Sequence, residues 1–404
     1  MRPVTFSCQM KLNGTLGRAG LVHTPHGDIK TPAFIAVATK ATTKGLPQEL
    51  FGDIGISAVI ANAYHLYLTP GEKIVEKAGG VGAFMAFSGP TMTDSGGFQI
   101  LSLAGGMGKK ILQGEEGRPG EEGVALFDEE VVKRQGAFAL VDDEGVTFTS
   151  HYDGSLHRFT PERSIEIQHA LGADIMFAFD ECTASTRDHA YQKLALRRTH
   201  AWAKRCLVAH RGDIEKNATQ GLFGIVQGGR FEDLRIESAR ELASMDFDGY
   251  GIGGSFNKAD ILATLAAVDS ELPDDKPRHL LGIGEPEDIF LGVEAGIDTF
   301  DCVLPTRNGR NGTIYTHAGK TSIERAENKE HQGPLDDSCD CFVCERYTRS
   351  YIHHLFRSKE MLGLTLASAH NMRFLTQLCE RIRASMLEGT YVGFRDGFLS
   401  AYQK

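Results

Sequence analysis

The segment Ile297-Asp-Thr-Phe-Asp301-Cys-Val-Leu-Pro-Thr-Arg307 guides the interpretation of the rest of the chain. Its first half is a short apolar run typical of a buried β-strand, and Asp301 stands where this strand would surface. Pro305 predicts a turn after the strand, and that turn would carry Arg307 and Arg310. An aspartate at a strand end can simply cap backbone N–H groups of the next turn, so this acid alone does not establish a functional site.

Further apolar segments of similar length precede this one, and most of them end in glycines or polar residues. We predict strands at residues 32–38, 57–62, 91–94, 174–180, 222–227, 249–254, 279–283 and 297–301. Segments with helical periodicity lie between several of them, at residues 161–171, 188–210 and 231–245. Apolar strands that alternate with helices are typical of a parallel sheet covered on its outer face. Eight such units indicate an α/β fold of the (β/α)8 TIM-barrel type rather than an open doubly wound sheet.

Residues 103–150 interrupt the alternation of strands and helices, because they are rich in glycine and charge. We predict a flexible insertion there, followed by a small antiparallel excursion with a turn at Tyr152-Asp-Gly154. Another hairpin is expected around His26-Gly27-Asp28, before the first barrel strand.

The predicted strand ends carry most of the candidate functional residues. In barrels of this kind the active site lies at the carboxyl-terminal ends of the strands. Those ends carry Asn62, Asp94, Asp180, Gln227, Gly254 and Asp301. Buried acids that repel one another are costly, and proteins tolerate that cost mainly at functional sites. The polar strand ends therefore predict an active site.

This set of side chains suits a narrow range of reactions. Two carboxylates, one acting as nucleophile and one as general acid/base, can cleave a glycosidic bond through a covalent intermediate. Asp180 and Gln227 can bind the amide-like edge of a purine, and Phe98 offers a face for stacking. The chain has no P-loop or dinucleotide-binding fingerprint that would favour another chemistry.

Composition limits the possible partners and compartments. The chain has 404 residues and a formal net charge of −10, which argues against indiscriminate binding of nucleic acid. The negative charge lies before residue 301, so the last quarter is the better candidate for contact with a polyanion. There is no run of apolar residues typical of a signal peptide or a membrane span, and we interpret the protein as cytoplasmic.

Three of the eight cysteines, Cys339, Cys341 and Cys344, form a compact C-x-C-x2-C cluster. In a cytoplasmic protein such a cluster indicates a metal site, and thiolates with one histidine favour a single, structural Zn²⁺. The residues alone leave the fourth ligand open among His353, His354 and His370.

A row of basic residues follows the cysteine cluster. If one helix spans Arg346, Arg349, His353 and Arg357, these side chains share a face. That face is either solvated or a ridge that contacts phosphates.

The chain as a whole resembles the queuine/archaeosine tRNA-ribosyltransferases, specifically the bacterial tRNA-guanine transglycosylases. The resemblance covers nearly the whole sequence. Its motifs are Thr93-Asp94-Ser-Gly-Gly-Phe-Gln99, Ser164-Ile-Glu-Ile-Gln168, Phe179-Asp180-Glu181-Cys182, Gly224-Ile-Val-Gln227-Gly-Gly229, Phe300-Asp301-Cys-Val-Leu-Pro-Thr-Arg307 and the C-x-C-x2-C cluster with Ala369-His370-Asn371.

The resemblance implies an enzyme that replaces the wobble guanine of GUN-anticodon tRNAs by a 7-deazaguanine, within queuosine biosynthesis. By the same resemblance, Asp301 would be the nucleophile and Asp94 the general acid/base. Contacts to the base would come from Ser95, Asp180, Gln227 and the segment after Gly254. Arg307 and Arg310 would contact the anticodon loop, and His370 would be the fourth zinc ligand. It also implies a homodimer.

The resemblance further implies one transglycosylase domain over residues 1–404. Residues 14–305 with the C-terminal helices would form the barrel, and residues 306–375 would form a zinc-binding subdomain inserted near its C-terminal end.

The chain departs from the family pattern in two segments, and the first of them leaves the incoming base open. Typical bacterial members have Leu-Ala-Val-Gly-Glu after the glycines of the sixth strand, where this chain has Ser255-Phe256-Asn257-Lys258. That segment borders the 7-substituent of the base, so either the aminomethyl precursor preQ1 or salvaged queuine fits. The insertion around residues 103–135 is also longer than usual.

Two other functions are weighed against the transglycosylase. One is a relative that exchanges bases in DNA, and the other is a non-catalytic RNA-binding partner subunit. Such a subunit would be expected to lose the acids, whereas Asp94, Asp180 and Asp301 are all present.

Overall fold

The computed structural model describes residues 2–104, 139–184, 187–254 and 261–402. Contacts group the chain into two compact units. Unit 1 contains residues 1–5, 62–84 and 91–278, and unit 2 contains residues 6–61, 85–90 and 279–404.

Eight strands form a closed parallel barrel. They are β4 (Ala33–Val37), β5 (Val59–Ala61), β6 (Thr91–Thr93), β10 (Ile175–Phe177), β11 (Gly221–Val226), β12 (Gly249–Ile252), β13 (Arg278–Leu280) and β14 (Thr299–Asp301). Their order around the barrel is β10-β11-β12-β13-β14-β4-β5-β6. The predicted (β/α)8 barrel and its strands are confirmed. Polar residues such as Asn62 and Asp180 lie just beyond the observed strands because their backbones already belong to the following loops or helices.

Smaller antiparallel sheets flank the barrel strands in sequence. They consist of β1 (Thr5–Lys11), β2 (Arg18–Thr24) and β3 (Gly27–Thr31); of β7 (Ala139–Asp142), β8 (Gly145–Thr149) and β9 (Leu156–Phe159); and of β15 (Thr313–Thr316) and β16 (Gly319–Ser322). The hairpin β2–β3 and the excursion β7–β8–β9 confirm two predictions. Residues 105–138, which hold most of the predicted flexible insertion, lie outside the described residues.

Helices occupy most of the segments between the barrel strands and the C-terminal part. They are α1 (Ala63–Leu68), α2 (Glu72–Lys77), α3 (Val81–Phe84), α4 (Gly97–Ala104), α5 (Pro161–Leu171), α6 (His189–Gly212), α7 (Ile214–Thr219), α8 (Glu232–Ala243), α9 (Ile261–Asp269), α10 (Pro286–Glu294), α11 (Leu304–Arg310), α12 (Phe342–Arg346), α13 (Arg349–Arg357), α14 (Met361–Leu387) and α15 (Tyr391–Tyr402), with short 3-10 helices at Gln48–Leu50 and Ala326–Glu330.

The ends of α5 illustrate why local sequence predicts these helices well. Thr160 caps its N-terminus by accepting a hydrogen bond from the backbone N–H of Arg163, and Pro161 occupies the first turn. Gly172 ends the helix in the left-handed conformation, with φ of 67°. The predicted helices at 161–171, 188–210 and 231–245 are confirmed as α5, α6 and α8.

The segment after Asp301 is a short helix, α11, so the prediction of a turn there is wrong. Pro305 lies in the first turn of that helix, where its missing N–H costs no hydrogen bond. Arg307 and Arg310 are therefore three residues apart on a helix, which places them on neighbouring positions of one face.

A buried ion pair anchors the strand that carries Asp301. The guanidinium of Arg18 donates to both carboxylate oxygens of Asp298, at 2.9 and 2.5 Å, and both side chains are almost fully buried. The backbone N–H of Ala33, on the neighbouring strand, donates to the carbonyl of Asp298 at 3.0 Å. Removing one partner of such a pair leaves an uncompensated buried charge, so β14 is held firmly at its start.

Membrane-spanning segments are absent from the helices of the described ranges. None of these helices is both long enough and apolar enough to cross a bilayer.

Candidate active site

In unit 1, Asp180 lies between two other predicted site residues. The hydroxyl of Ser95 donates to Asp180 Oδ1 at 2.9 Å, and the amide of Gln227 donates to Asp180 Oδ2 at 2.7 Å. All three side chains are buried. Ser95 follows β6, Asp180 follows β10 and Gln227 follows β11, so adjacent parallel strands bring these residues together. Sequence reasoning had assigned all three to base recognition.

The electrostatics of this trio suit a polar planar ligand. Burial raises the pKa of Asp180 to about 6, although the two hydrogen bonds oppose that shift. Gln227 Oε1 is a buried acceptor without a hydrogen-bond partner among the described residues. A buried acceptor without a partner is costly, and a ligand N–H would remove that cost.

Gly254 borders the same amide. Its φ of +87° favours glycine, and a Cβ there would lie 2.8 Å from Gln227 Oε1. A side chain at this position would therefore displace Gln227. Residues 255–260, including the unusual Ser255-Phe256-Asn257-Lys258 segment, lie outside the described residues.

Phe98, the predicted stacking residue, lies in the first turn of α4 and is half-buried. The structure thus places it three residues after Ser95, at the start of the helix that follows β6. Its role in stacking stays a prediction.

Arg235 is a residue of this group that sequence reasoning missed. Its side chain is fully buried, and it donates to the carbonyl oxygens of Gly229 at 2.7 Å and Gly253 at 3.0 Å. Burial lowers its pKa to about 9, so it stays charged at neutral pH. Arg235 thereby connects the loops that follow β11 and β12. The signal in the sequence was weak, because one arginine in an amphipathic helix is normally exposed.

Arg235→Lys is expected to lower the free energy of unfolding by about 2–3 kcal/mol, because an ammonium group cannot reproduce the forked contacts to two carbonyls. Urea denaturation measures this change. The matched control is Arg240→Lys on the same helix, where the arginine is exposed and pairs with Glu271. That change should leave the free energy of unfolding nearly unchanged, because an ion pair exposed to solvent contributes little. Equal effects of the two substitutions would contradict the role given to Arg235.

Asp94, the predicted general acid/base, is held by four donors within unit 1. Its Oδ1 accepts from the backbone N–H groups of Ala63, at 3.0 Å, and Gly96, at 3.2 Å. Its Oδ2 accepts from the side-chain amides of Asn62 and of Gln99, the latter at 2.9 Å. Four donors suit an ionised carboxylate, which only accepts.

Asp301, the predicted nucleophile, ends β14 in unit 2 and is largely buried. Its Oδ1 accepts from the backbone N–H of Gly282 at 2.9 Å and lies 3.1 Å from His279 Nε2. Sequence reasoning placed His279 in the seventh strand without giving it a role.

Two cysteines follow closely after acids of the site, and neither has thiolate character. Burial raises the pKa of Cys182 and of Cys302 to about 12. A neutral thiol is a poor nucleophile. The carboxylates are therefore the better candidates for covalent chemistry.

A basic cluster in unit 2 contains the two predicted RNA-binding arginines. A guanidinium N–H of Arg310 donates to the carbonyl of Lys44 at 3.2 Å. Burial lowers the pKa of Lys44, and the positive charges of Arg310, Arg307 and Lys40 lower it further. Burial and then Arg307 lower the pKa of Arg310 in the same way. Cations that repel one another indicate a place where an anion is favourable.

The cysteine cluster forms a candidate metal centre with His370. The ligand atoms of Cys339, Cys341, Cys344 and His370 all lie within 4.8 Å of one another. His370 Nε2 lies 2.7 Å from the carbonyl of Tyr315 and donates to it, which leaves Nδ1 free to bind a metal ion. The donor set fits a tetrahedral ion, so these four residues could hold a metal ion, as the sequence predicted.

The other two candidate ligands do not belong to this cluster. His353 is buried and its Nδ1 lies 2.8 Å from the carbonyl of Ile323, while His354 is exposed. His370, the histidine of the cluster, lies on α14. On the same helix Arg373 pairs with Asp340 at 2.8 and 2.7 Å, which ties the cysteine loop to that helix.

The single helix that would place Arg346 on one face with Arg349, His353 and Arg357 is not formed. Arg346 lies on α12, whereas Arg349 and Arg357 lie on a separate helix, α13. Arg349 donates to the carbonyls of Pro334 and Leu335, so it has a structural role. The helix breaks at Tyr347, which adopts an extended conformation.

The sequence is similar to those of known proteins over almost its whole length. The family model described as queuine tRNA-ribosyltransferase matches residues 13–118 and 120–404. The chain belongs to the queuine tRNA-ribosyltransferase family. The protein of this name from Pelotomaculum thermopropionicum is 43% identical over 99% of this chain and 99% of its own length. The one from Acetivibrio thermocellus is 43% identical over 100% of this chain and 99% of its own length. The one from Herpetosiphon aurantiacus is 44% identical over 96% of this chain and 90% of its own.

Membership of the queuine tRNA-ribosyltransferase family confirms the resemblance seen in the sequence. The matched ranges contain every residue predicted for the site and for the metal centre. The individual roles of these residues stay proposals.

Proposed function

We propose that this chain is a tRNA-guanine transglycosylase, a pentosyltransferase that exchanges the wobble guanine of GUN-anticodon tRNAs for a 7-deazaguanine in queuosine biosynthesis. Family membership over almost the whole chain carries this proposal. The buried trio of Ser95, Asp180 and Gln227 supports it, because these residues offer donors and acceptors suited to a purine-like base.

In the proposed reaction Asp301 is the nucleophile. One of its carboxylate oxygens bonds to the ribose C1′ as the bond from C1′ to N9 of guanine breaks. In the second half-reaction the incoming base displaces Asp301 from C1′. Two displacements at one carbon retain the configuration of the sugar.

Asp94 carries the proton that balances the exchange. The incoming base loses the hydrogen on the nitrogen that bonds to C1′, and the outgoing guanine gains one on N9. In the first half-reaction Asp94, in its protonated form, gives a hydrogen to N9 of the outgoing guanine. In the second half-reaction the resulting carboxylate, which the four donors stabilise, takes the hydrogen from the incoming base.

The tRNA is expected to present its wobble nucleotide unstacked. Extruding a base costs a few kcal/mol and costs least in a single-stranded loop. We assign Arg307 and Arg310, together with Lys44, to contacts with the anticodon loop, because these cations crowd one another on the same unit as Asp301.

The remaining assignments follow from family membership. We propose that the metal is one structural Zn²⁺, held by Cys339, Cys341, Cys344 and His370. We also propose that the enzyme is a cytoplasmic homodimer. Residues 306–375 would form the zinc-binding subdomain, and residues 14–305 with the C-terminal helices would form the barrel.

Exchange of radiolabelled guanine into a GUN-anticodon tRNA tests the activity. The expected result is incorporation into that tRNA and none into a tRNA whose anticodon lacks the wobble guanine. If duplex DNA competes with the tRNA in this assay, the protein is a relative that acts on DNA. A non-catalytic partner subunit would incorporate no guanine into either nucleic acid. Mass spectrometry of the tRNA after incubation with preQ1 or with queuine identifies the preferred base.

The pH dependence of base binding tests the role of Asp180. Its ionised carboxylate can accept two N–H groups of a guanine edge, whereas the protonated form cannot. Because its pKa is raised to about 6, affinity for guanine should increase as the pH rises through 6. Between pH 7 and pH 5 the affinity should fall roughly tenfold, in proportion to the ionised fraction.

Calorimetric titration of guanine at several pH values measures this change. Asp180→Asn is the control, because an amide does not titrate in this range. It should bind guanine weakly and show no dependence on pH. A wild-type affinity that stays constant from pH 5 to pH 7 would contradict the assignment.

A further inference from the structure

His279 lies directly beside the nucleophilic carboxylate. It is on β13, where it pairs with Thr299 on β14, and Asp301 follows Thr299 by two residues on the same face of the strand. The imidazole is fully buried. Its Nδ1 lies 2.9 Å from the hydroxyl of Thr299, and its Nε2 lies 3.1 Å from Asp301 Oδ1.

The partners of the ring determine where its hydrogen lies. An ionised carboxylate has no proton to give, so Nε2 must donate to Asp301. In the neutral ring Nδ1 is then an acceptor, and the hydroxyl of Thr299 can donate to it. Thr299 thereby orients the imidazole, and the imidazole orients the carboxylate.

The two oxygens of Asp301 are therefore unequal. Oδ1 has two donors, the ring of His279 and the backbone N–H of Gly282. Within the described part of the chain, Oδ2 has no hydrogen-bond partner. Oδ2 is free to attack C1′, and Oδ1 becomes the carbonyl oxygen of the resulting ester.

A donor at Oδ1 stabilises the free carboxylate more than the ester. Negative charge on Oδ1 is high in the carboxylate and low in the ester carbonyl. When the incoming base attacks, the bond between C1′ and Oδ2 breaks and its electron pair returns to the carboxylate. The base loses its proton to Asp94 in the same half-reaction. The hydrogen bond from His279 therefore strengthens as Asp301 departs.

From this geometry we infer that His279 is a positioning residue that selects Oδ2 as the attacking oxygen and speeds release of Asp301 from the ribose. The inference rests on the proposed function, since it requires the covalent intermediate. It adds a residue that acts through Asp301 without touching the substrate.

A pair of substitutions separates the two contacts of the ring. The amide nitrogen of Gln can occupy the position of Nε2, so His279→Gln keeps the donor to Asp301. The amide of Asn reaches only the position of Nδ1, so His279→Asn keeps the contact with Thr299 and loses the donor. The readout is the decay of the trapped RNA–protein adduct after guanine is added, followed on denaturing gels.

In His279→Asn the adduct should accumulate and decay about tenfold to a hundredfold more slowly than in the wild type, as expected for a lost hydrogen bond to a charged group. His279→Gln should decay within roughly threefold of the wild-type rate. If His279 had a purely structural role, His279→Asn would reduce the amount of folded enzyme and leave the decay rate of the adduct unchanged. Decay of the His279→Asn adduct at the wild-type rate overturns the inference.

Two further variants keep the result interpretable. His210→Gln removes another buried imidazole, which contacts the carbonyl of Gln220, and should leave decay unchanged. If His279→Asn does not fold, Thr299→Val removes the orienting partner and should also slow decay; an unchanged rate there overturns the inference. A wild type that neither forms the adduct nor incorporates guanine overturns the proposed function itself, whereas exchange retained in Asp301→Asn overturns only the role of Asp301 as nucleophile.

Discussion

Asp301→Asn is expected to abolish guanine exchange, with a loss of about 10⁴-fold or more, because an amide cannot serve as the nucleophile. The substitution nearly preserves shape. The carbonyl oxygen of the new amide would still accept hydrogen bonds from Gly282 and His279. Binding of tRNA should therefore change little, and the covalent adduct should disappear. Radiolabelled guanine incorporation and denaturing gels measure the two effects.

The control for this prediction is Asp28→Asn. Asp28 is an exposed aspartate in the β2–β3 hairpin of the same unit, where it contacts His23. Its replacement should leave exchange unchanged. If Asp301→Asn still formed an adduct with RNA, another carboxylate would be the nucleophile, and Asp94 would be the first candidate.

Loss of the metal centre should have the second-largest effect, in this case on stability. Cys344→Ser removes one of the four proposed zinc ligands, so the zinc content should fall from the expected one ion per chain to nearly none. Binding of a structural zinc contributes about 10–16 kcal/mol in small zinc domains, and part of that free energy stabilises the fold. We expect the free energy of unfolding to fall by at least about 3–5 kcal/mol. Metal analysis and thermal unfolding measure both changes.

Cys379→Ser is the matched control for the metal centre. Cys379 is a buried cysteine on α14, the helix that carries His370, and it is outside the ligand cluster. Its replacement should keep the zinc and cost about 1 kcal/mol. Full zinc content in Cys344→Ser would show that this residue is not a ligand. Chelation of the metal from the wild type should reproduce the loss of stability.

The sequence predicted the barrel well because the relevant signals are local. Apolar runs, glycines and caps identify strands and helices without knowledge of the tertiary structure. Polar residues at strand ends then made Asp94, Asp180, Gln227 and Asp301 the candidate site residues, since active sites of such barrels lie at the carboxyl ends of the strands. The error at α11 has the same origin, because proline marks both a turn and the first turn of a helix.

The partners of these residues could not be predicted in the same way. Arg235 reaches Gly253, and His370 completes a cluster that begins at Cys339. Without the family resemblance, nothing in the local pattern distinguished His370 from His353, which contacts a carbonyl instead. Hydrogen bonds between residues distant in sequence depend on the folded geometry, and periodicity carries no information about them.

The sequence by itself determined the eight strands, the acids at their ends, the cysteines of the metal centre and the family. The family resemblance also pointed to His370 as the partner of the cysteines, whereas only the tertiary structure decided which oxygen of Asp301 is engaged by His279 and Gly282. The physical reason is that strand formation depends on residues close in sequence, whereas the properties of a carboxylate depend on the donors that folding places around it.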